Sequence, residues 1–280
     1  MSKWISVIIE GDELDEKCSL LFEFGIVGNS IAIDGTATCF VQSEDGSISP
    51  ELKNEIARLN LSIKSIELIE EVNWTQNCDE LFETVQVGEL NILPIRTFQE
   101  INCDPLINKK DIFIIPGTGF GTGHHATTFN LLKLLQHSEF ISNPPATVLD
   151  AGTGSGILAI GAARLFNCSI DAYEVDPLAV ENAQENVALN KLESRIKIYC
   201  ESVHRCEATY DLVIANLYAE LLEILCSHLV SRGNGKGHFL LSGIRADLTD
   251  GVINKYQTHG LRCIERVTSE GWSALMFNHS

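Results

Sequence analysis

Val148-Leu149-Asp150-Ala151-Gly152-Thr153-Gly154-Ser155-Gly156-Ile157-Leu158-Ala159-Ile160 reads as a buried strand, a tight glycine turn and the opening of a helix. Glycines at alternate positions let the backbone double back and lie directly against a ligand, because no Cβ stands in the way. The helix that follows aims its free N–H groups at the same place. A dinucleotide-binding fingerprint sets its third glycine one residue later, where this chain has Ile157. The turn alone therefore predicts a nucleotide-like ligand on an α/β sheet, against the plainer alternative of a strand-to-helix turn that binds nothing. Asp150, Gly152, Gly154 and Gly156 are its candidate ligand residues.

The rest of the C-terminal half alternates strands and helices in the doubly wound manner. Strands are expected at 147–151, 170–175, 211–216 and 237–242, and helices at 156–166, 177–190 and 219–231. Strands near 261–268 and 272–277 lie close enough in sequence to pair antiparallel. In such a sheet the ligand sits beyond the carboxyl ends of the strands, at the switch point. The second strand ends Ala172-Tyr173-Glu174-Val175-Asp176-Pro177. An acidic side chain about 20 residues after the glycine turn can accept hydrogen bonds from two ribose hydroxyls, and Glu174 is the candidate. Asp176 serves either the same ligand or the N-cap of the helix that Pro177 begins.

The first seventy residues have a different rhythm. Trp4 to Ile9 is strand-like, and 13–24 is helix-like, with Leu14, Cys18, Leu21 and Phe22 on one face and Gly25 as its C-cap. Strands near 28–33 and 36–42, a helix over 50–59 started by Pro50, and a strand over 62–69 complete a βαββαβ order. That is the ferredoxin-like arrangement. An acidic segment over 70–84, carrying Trp74, is expected to be a connecting helix. Short strands within 85–95 and 111–115 lead to Pro116-Gly117-Thr118-Gly119-Phe120-Gly121-Thr122-Gly123-His124-His125-Ala126-Thr127-Thr128. Alternating glycines with embedded Phe, Thr and His suit a ligand-covering loop better than a plain hinge. The next segment, with Leu131, Leu134 and Leu135, is an amphipathic helix.

Composition narrows the class. At 280 residues, with 45% hydrophobic residues, the chain suits two globular domains. No apolar run approaches the length of a membrane span, and Met1-Ser2-Lys3-Trp4 lacks the features of a secretory signal. Nine scattered cysteines with no Cys-x-x-Cys pair read as reduced thiols of a cytoplasmic protein, with neither a disulfide frame nor a zinc site. Of the net charge of −18, residues 1–108 hold 20 Asp and Glu against 6 Lys and Arg, and residues 109–280 hold 18 against 14. An acidic N-terminal half repels phosphate backbones, so direct sequence-specific nucleic-acid binding is not expected. It attracts a basic protein, unless the charge serves only solubility.

The glycine turn in its Asp-x-Gly-x-Gly-x-Gly form resembles the first motif of S-adenosylmethionine-dependent methyltransferases, and a mostly parallel sheet ending in an antiparallel pair resembles their class I fold. The fourth strand ends Ala215-Asn216-Leu217-Tyr218-Ala219-Glu220-Leu221. Methyl transfer is an in-line displacement governed by positioning. An Asn carbonyl at Asn216 can accept a hydrogen bond from a substrate amine and aim its lone pair. A free lysine amine has a pKa near 10.4, so only about one in 2,500 is deprotonated at pH 7, a cost of about 4.6 kcal/mol. A lysine site must therefore desolvate the amine or supply a base. His124 and His125 are the closely placed candidates, and the competing role for them is to hold the glycine loop. Glu201 and Ser202, after a third strand candidate that precedes the fourth strand at 211–216, are weaker candidates for an adenine edge.

Phe120-to-Thr128, Asp150-to-Ile160 and Ala215-to-Leu221 together make the chain similar to the PrmA family, the methyltransferases of large-subunit ribosomal protein eleven. The similarity continues through Glu174-Val175-Asp176-Pro177, Leu241-Ser242-Gly243-Ile244 and Gly271-Trp272, and Asn73-Trp74 with Val87-Gly88-Glu89 match the family's linker. It is nearly continuous from residue 70 onward, while the first 69 residues match in architecture more than in residues. The resemblance implies a ferredoxin-like substrate-recognition domain over 1–69, a linker helix over 70–84 and a class I methyltransferase domain over 85–280. It implies S-adenosyl-L-methionine as cofactor, with contacts at Thr128, Gly152, Glu174 and Asn216, Phe120 in the covering loop and Asn216 as the catalytic residue. The implied substrate is a basic ribosomal protein, methylated on lysine side chains and the N-terminal amine; another protein or small-molecule amine is the alternative. The family usually has Asp where this chain has Glu174, a change that keeps the ribose bond. Glutamine methyltransferases present Asn-Pro-Pro-Tyr at the fourth strand, and Asn216-Leu217-Tyr218 has no prolines.

Overall fold

In the computed structural model, residues 3–12, 14–21, 26–31, 36–43, 47–69, 83–95, 108–117, 121 and 123–279 are described. The chain divides into two units, Met1–Glu80 and Leu81–Ser280. The division falls inside 70–84, and the helix expected there lies outside the described residues, as do Trp74, Phe22 and Gly25.

The first unit contains β1 (Lys3–Glu10), α1 (Leu14–Leu21), β2 (Ile26–Ile31), β3 (Thr36–Ser43), α2 (Pro50–Arg58) and β4 (Ser62–Ile69). Its four strands lie in the order β2-β3-β1-β4, all antiparallel. Ile5, Val7 and Ile9 alternate along β1 and pair with Val41, Cys39 and Ala37, so one face of the sheet is apolar and buried. Leu14, Cys18 and Leu21 of α1 and Leu52 and Ile56 of α2 cover that face in a single core. Ser49 caps α2 by accepting from the Leu52 amide at 3.1 Å, with Pro50 in the first turn. This is the ferredoxin-like α+β fold.

The second unit opens with β5 (Val85–Val87), β6 (Leu90–Pro94) and β7 (Asp111–Ile114), which form a small sheet. Next come α3 (Ala126–Leu134), α4 (Ser138–Ser142), β8 (Thr147–Ala151), α5 (Ile157–Leu165), β9 (Ser169–Glu174), α6 (Pro177–Leu189), β10 (Ile196–Cys200) and β11 (Tyr210–Asn216). The last elements are α7 (Ala219–Arg232), β12 (Gly233–Arg245), α8 (Thr249–Gln257), β13 (Leu261–Ser269) and β14 (Trp272–His279). Seven strands lie in the order β10-β9-β8-β11-β12-β14-β13. The first five run parallel, and β14 pairs antiparallel with both β12 and β13. The order reverses between β8 and β11, which is the switch point.

Alternation along the strands builds two cores, one on each face of this sheet. Val148, Leu212, Ile214 and Leu240 pack with α3, α5 and α6. Leu149, Val213, Ala215 and Leu241 pack with α7 and α8. Neighbouring residues of one strand thus serve opposite cores, as a sheet covered on both sides requires. Among the described residues no helix is long and apolar enough to cross a membrane.

Two polar devices fix the frame. Asn182 and Asn186 of α6 and Asn190 at its C-cap lie four residues apart and are all buried. Asn186 and Asn190 accept from the amides of Ile115 and Phe113 at 2.7 and 3.1 Å, while all three donate to carbonyls of the same segment. This ladder satisfies a strand edge that would otherwise be buried unpaired. At the other end of the sheet, Asp211 accepts from the Ala146 and Thr147 amides, the Thr147 hydroxyl and Asn234. Burial opposes ionisation there, but these four donors outweigh it and hold the carboxyl below its ordinary pKa. Asp211→Ala should cost about 1–2 kcal/mol by urea unfolding at pH 7. Because the folded-state pKa is lowered, that stabilisation is complete above about pH 4 and fades as pH falls further. A pH-independent difference would mean that packing, not charge, makes the clamp.

Candidate active site

The glycine turn is built by its neighbours. The amides of Gly152 and Thr153 both donate to the Tyr173 carbonyl, at 2.9 and 3.1 Å, which hooks the end of β8 onto β9. Asp150 is fully buried, and its Oδ2 accepts from the Thr153 hydroxyl at 2.6 Å. Burial pushes its pKa up to about 6, with the Thr153 bond working the other way; its Oδ1 is buried without a partner. Gly152 has φ +75°, and a Cβ there would stand 2.6 Å from Leu217 Cδ2. Gly243, at φ +85°, passes beneath the Leu217 backbone, where a Cβ would come within 2.3 Å of the carbonyl oxygen. Glycine at these two positions lets the ends of β8, β11 and β12 converge.

A cavity of about 620 Å³ opens at this convergence. Thr128, Gly152, Gly154, Glu174, Asp176 and Asn216 line it, as do Glu201 and Ser202. Asp150 and Gly156 do not. Asp150 stands behind the turn as its staple, and Gly156 is the left-handed N-cap of α5, so both shape the wall from outside it. Phe120 lies outside the described residues. Asp176 accepts from the Leu178 amide at 3.0 Å and caps α6 while remaining on the rim. The capping role is the one observed, and the side chain also lies in the cavity lining.

Glu174 is held by backbone alone. Its Oε2 accepts from the Gly154 amide at 3.1 Å, and Oε1 from the Val175 and Asp176 amides at 2.8 and 3.1 Å. The carboxylate is thereby fixed on the cavity wall and tied to the turn it was expected to work with. Asn216 ends β11. Its Nδ2 donates to the hydroxyls of Thr127 and Thr128 at 3.3 and 3.4 Å, and its Oδ1 is buried without a hydrogen-bond partner. A buried carbonyl oxygen left so costs free energy unless a ligand completes it.

His125 was expected either to act as a base or to hold the loop. Its Nδ1 accepts from the Thr127 amide at 3.3 Å and contacts the Thr127 hydroxyl at 2.8 Å, capping α3. Burial lowers its pKa, with Glu270 acting in the opposite sense, so the ring is neutral at pH 7 and Nδ1 is already engaged. The capping role is the one that the geometry supports. Its ring meets Trp272 edge-on at 5.1 Å, and Trp272 also lines the cavity. Leu217, Tyr218, Leu221, Ile224 and Gly243 are further lining residues that the sequence reading did not single out. The Leu241-Ser242-Gly243-Ile244 match was the one signal available for Gly243. No Lys or Arg lines the cavity among the described residues, whereas Glu174, Asp176 and Glu201 do. Among those residues no three metal-ligating side chains gather.

These observations fit S-adenosylmethionine: a backbone cradle without Cβ atoms, a fixed carboxylate one strand away, an unpartnered carbonyl oxygen, and an acidic lining suited to a cationic donor. Comparison with known proteins agrees. A family model described as "Ribosomal protein L11 methyltransferase (PrmA)" matches residues 6–280. The ribosomal protein L11 methyltransferase of Carboxydothermus hydrogenoformans is 33% identical over 238 residues, 82% of this chain and 76% of that protein. That of Geotalea uraniireducens is 36% identical over 219 residues, 75% and 68% of the two chains. A solved ribosomal protein L11 methylase from Lactobacillus delbrueckii subsp. bulgaricus superimposes with a TM-score of 0.61 at 29% identity, covering 71% of this chain and 99% of that one. With its class I fold and its glycine turn, the chain belongs to the ribosomal protein L11 methyltransferase family, whose methyl donor is S-adenosylmethionine.

Proposed function

We propose that this protein methylates amines of ribosomal protein L11, the ε-amino groups of lysines and the N-terminal amine. The observation that carries this reading is the carboxamide of Asn216, anchored through Nδ2 and unpartnered at Oδ1. When bound, S-adenosylmethionine supplies a methyl group on a cationic sulfur. Gly152, Gly154 and Glu174 hold the donor, and Thr128 lies at the same wall. Asn216 Oδ1 accepts an N–H of the uncharged amine and thereby directs the nitrogen lone pair. Orientation of this kind is worth several powers of ten in rate.

The amine must lose its proton first. His125 is not placed to take it, because Nδ1 is engaged by the Thr127 amide. The cavity wall that includes Asn216 also contains Ile157, Leu158, Leu217 and Trp272. Such a lining favours the neutral amine by desolvation, so proton loss to solvent on entry suffices. This predicts a rate that climbs with pH above neutrality.

The first unit, with its separate core, serves as the recognition module over 1–69, and its acidity suits a basic ribosomal protein. Both parts are tested by incubating purified ribosomal proteins with the enzyme and labelled cofactor, followed by mass spectrometry. L11 should gain methyl groups on lysines and on its N-terminus. A chain lacking 1–69 should bind cofactor but leave L11 unlabelled. Label on another acceptor would overturn the substrate, and full L11 methylation by the shortened chain would overturn the recognition role.

A further inference from the structure

The apolar wall of the cavity continues beyond its mouth. Tyr218, Leu221 and Ile224 line the cavity and are 73%, 39% and 72% exposed. Tyr218 is the N-cap of α7, and Leu221 and Ile224, three residues apart, are neighbours on the outer side of its first two turns. The inner side of that helix carries Leu222, Leu225, Cys226 and Leu229 into the core, so the fold does not require the outer set. The strip starts two residues after Asn216 and runs about 9 Å along the helix. Glu220 and Glu223 are exposed between its apolar members. Val175, 67% exposed, is a further apolar residue of the cavity lining. Single exposed apolar residues are ordinary, but a grouped set at the mouth of a site marks a contact surface.

We propose that this strip docks the stretch of a basic protein that carries the acceptor amine. Apolar side chains of that stretch lie on Leu221 and Ile224, and its cationic ones meet Glu220 and Glu223. The inference rests on the protein-amine reading above and adds to it a surface outside the first unit. Charge selects the occupant. A second copy of a chain with net charge −18 would set acid against acid, a phosphate backbone would be repelled, and a small amine would need no surface beyond the cavity. A basic segment with apolar residues beside its lysine satisfies both features of the strip.

The test uses the full chain, purified ribosomal protein L11, and the pair Leu221→Ser/Ile224→Ser with a second pair, Glu220→Lys/Glu223→Lys. The first pair should raise KM for L11 about tenfold, equivalent to about 1.4 kcal/mol, with Kd for S-adenosylmethionine within about twofold of the parent. The second should raise KM and flatten its dependence on salt. Unchanged KM in both pairs overturns the proposal. A cofactor Kd that rises in step with KM reassigns the strip to the cofactor, and a change in sedimentation reassigns it to a second copy. A parent enzyme that methylates no ribosomal protein brings down the protein-amine reading itself. An active parent with unaffected variants brings down only the docking strip.

Discussion

Replacing Asn216 by alanine is expected to lower kcat for methyl transfer by about 100-fold or more, in a chain that still folds. The side chain is half-buried at the end of β11, and its two hydrogen bonds are long, at 3.3 and 3.4 Å. Their loss should cost no more than about 1 kcal/mol of stability, which thermal unfolding would report. What disappears is Oδ1, the group proposed to orient the amine. Asn216→Asp separates orientation from charge. The hydroxyls of Thr127 and Thr128 can donate to a carboxylate, so position is kept, but a negative charge beside the amine holds it protonated. That variant should be slow at pH 7 and recover as pH rises, a shift that a merely structural residue would not produce. Parental kcat in Asn216→Ala would remove Asn216 from the mechanism.

The glycine turn was legible because its chemistry is local: alternate glycines, a buried Asp and a following helix specify one backbone path. Glu174 and Asn216 were legible through position, since a doubly wound sheet brings its strand ends to one place wherever they stand in the chain. Other features depend on partners far away in sequence. The asparagines of α6 look like ordinary polar residues on a helix until the backbone of Phe113 and Ile115 is set against them. Asp150 reads as a ligand residue beside three glycines, yet burial turns it inward to Thr153. Helix α8 was missed because Gly251 interrupts it and few of its residues are buried, although Thr249, Val252 and Tyr256 carry the helical spacing. Strand β10 went without bounds because its outward positions expose Lys197 and Cys200 and blur the apolar run. The exposed strip on α7 was hidden for the opposite reason. Nothing in the sequence separates Tyr218, Leu221 and Ile224 from Leu222, Leu225, Cys226 and Leu229, and only the packing shows that the latter four fill the core.

Cofactor affinity should depend most on Glu174. Glu174→Ala is expected to weaken S-adenosylmethionine binding about 100-fold, or about 2.7 kcal/mol. Each hydrogen bond from a ribose hydroxyl to an ionised carboxylate contributes about 1.5–3 kcal/mol. The carboxylate is also set in place beforehand by the Gly154, Val175 and Asp176 amides, so little ordering is left to be done on binding. Alanine removes both the acceptor and the bond that steadies Gly154. Two measurements separate these roles. At a cofactor concentration about 100 times the parental Kd, binding should stabilise the parent by about 2.7 kcal/mol, and thermal unfolding should show the variant losing nearly all of that gain. Without cofactor, the two proteins should unfold within a few degrees of each other. Glu174→Asp keeps the charge but is shorter by one methylene, so it cannot reach Gly154 and the ribose together. It should fall between the two, with affinity reduced about tenfold. If Glu174→Ala instead loses stability without cofactor and keeps the full cofactor-induced gain, the carboxylate is only a staple for the turn. The Gly152–Gly156 backbone would then have to hold the donor unaided.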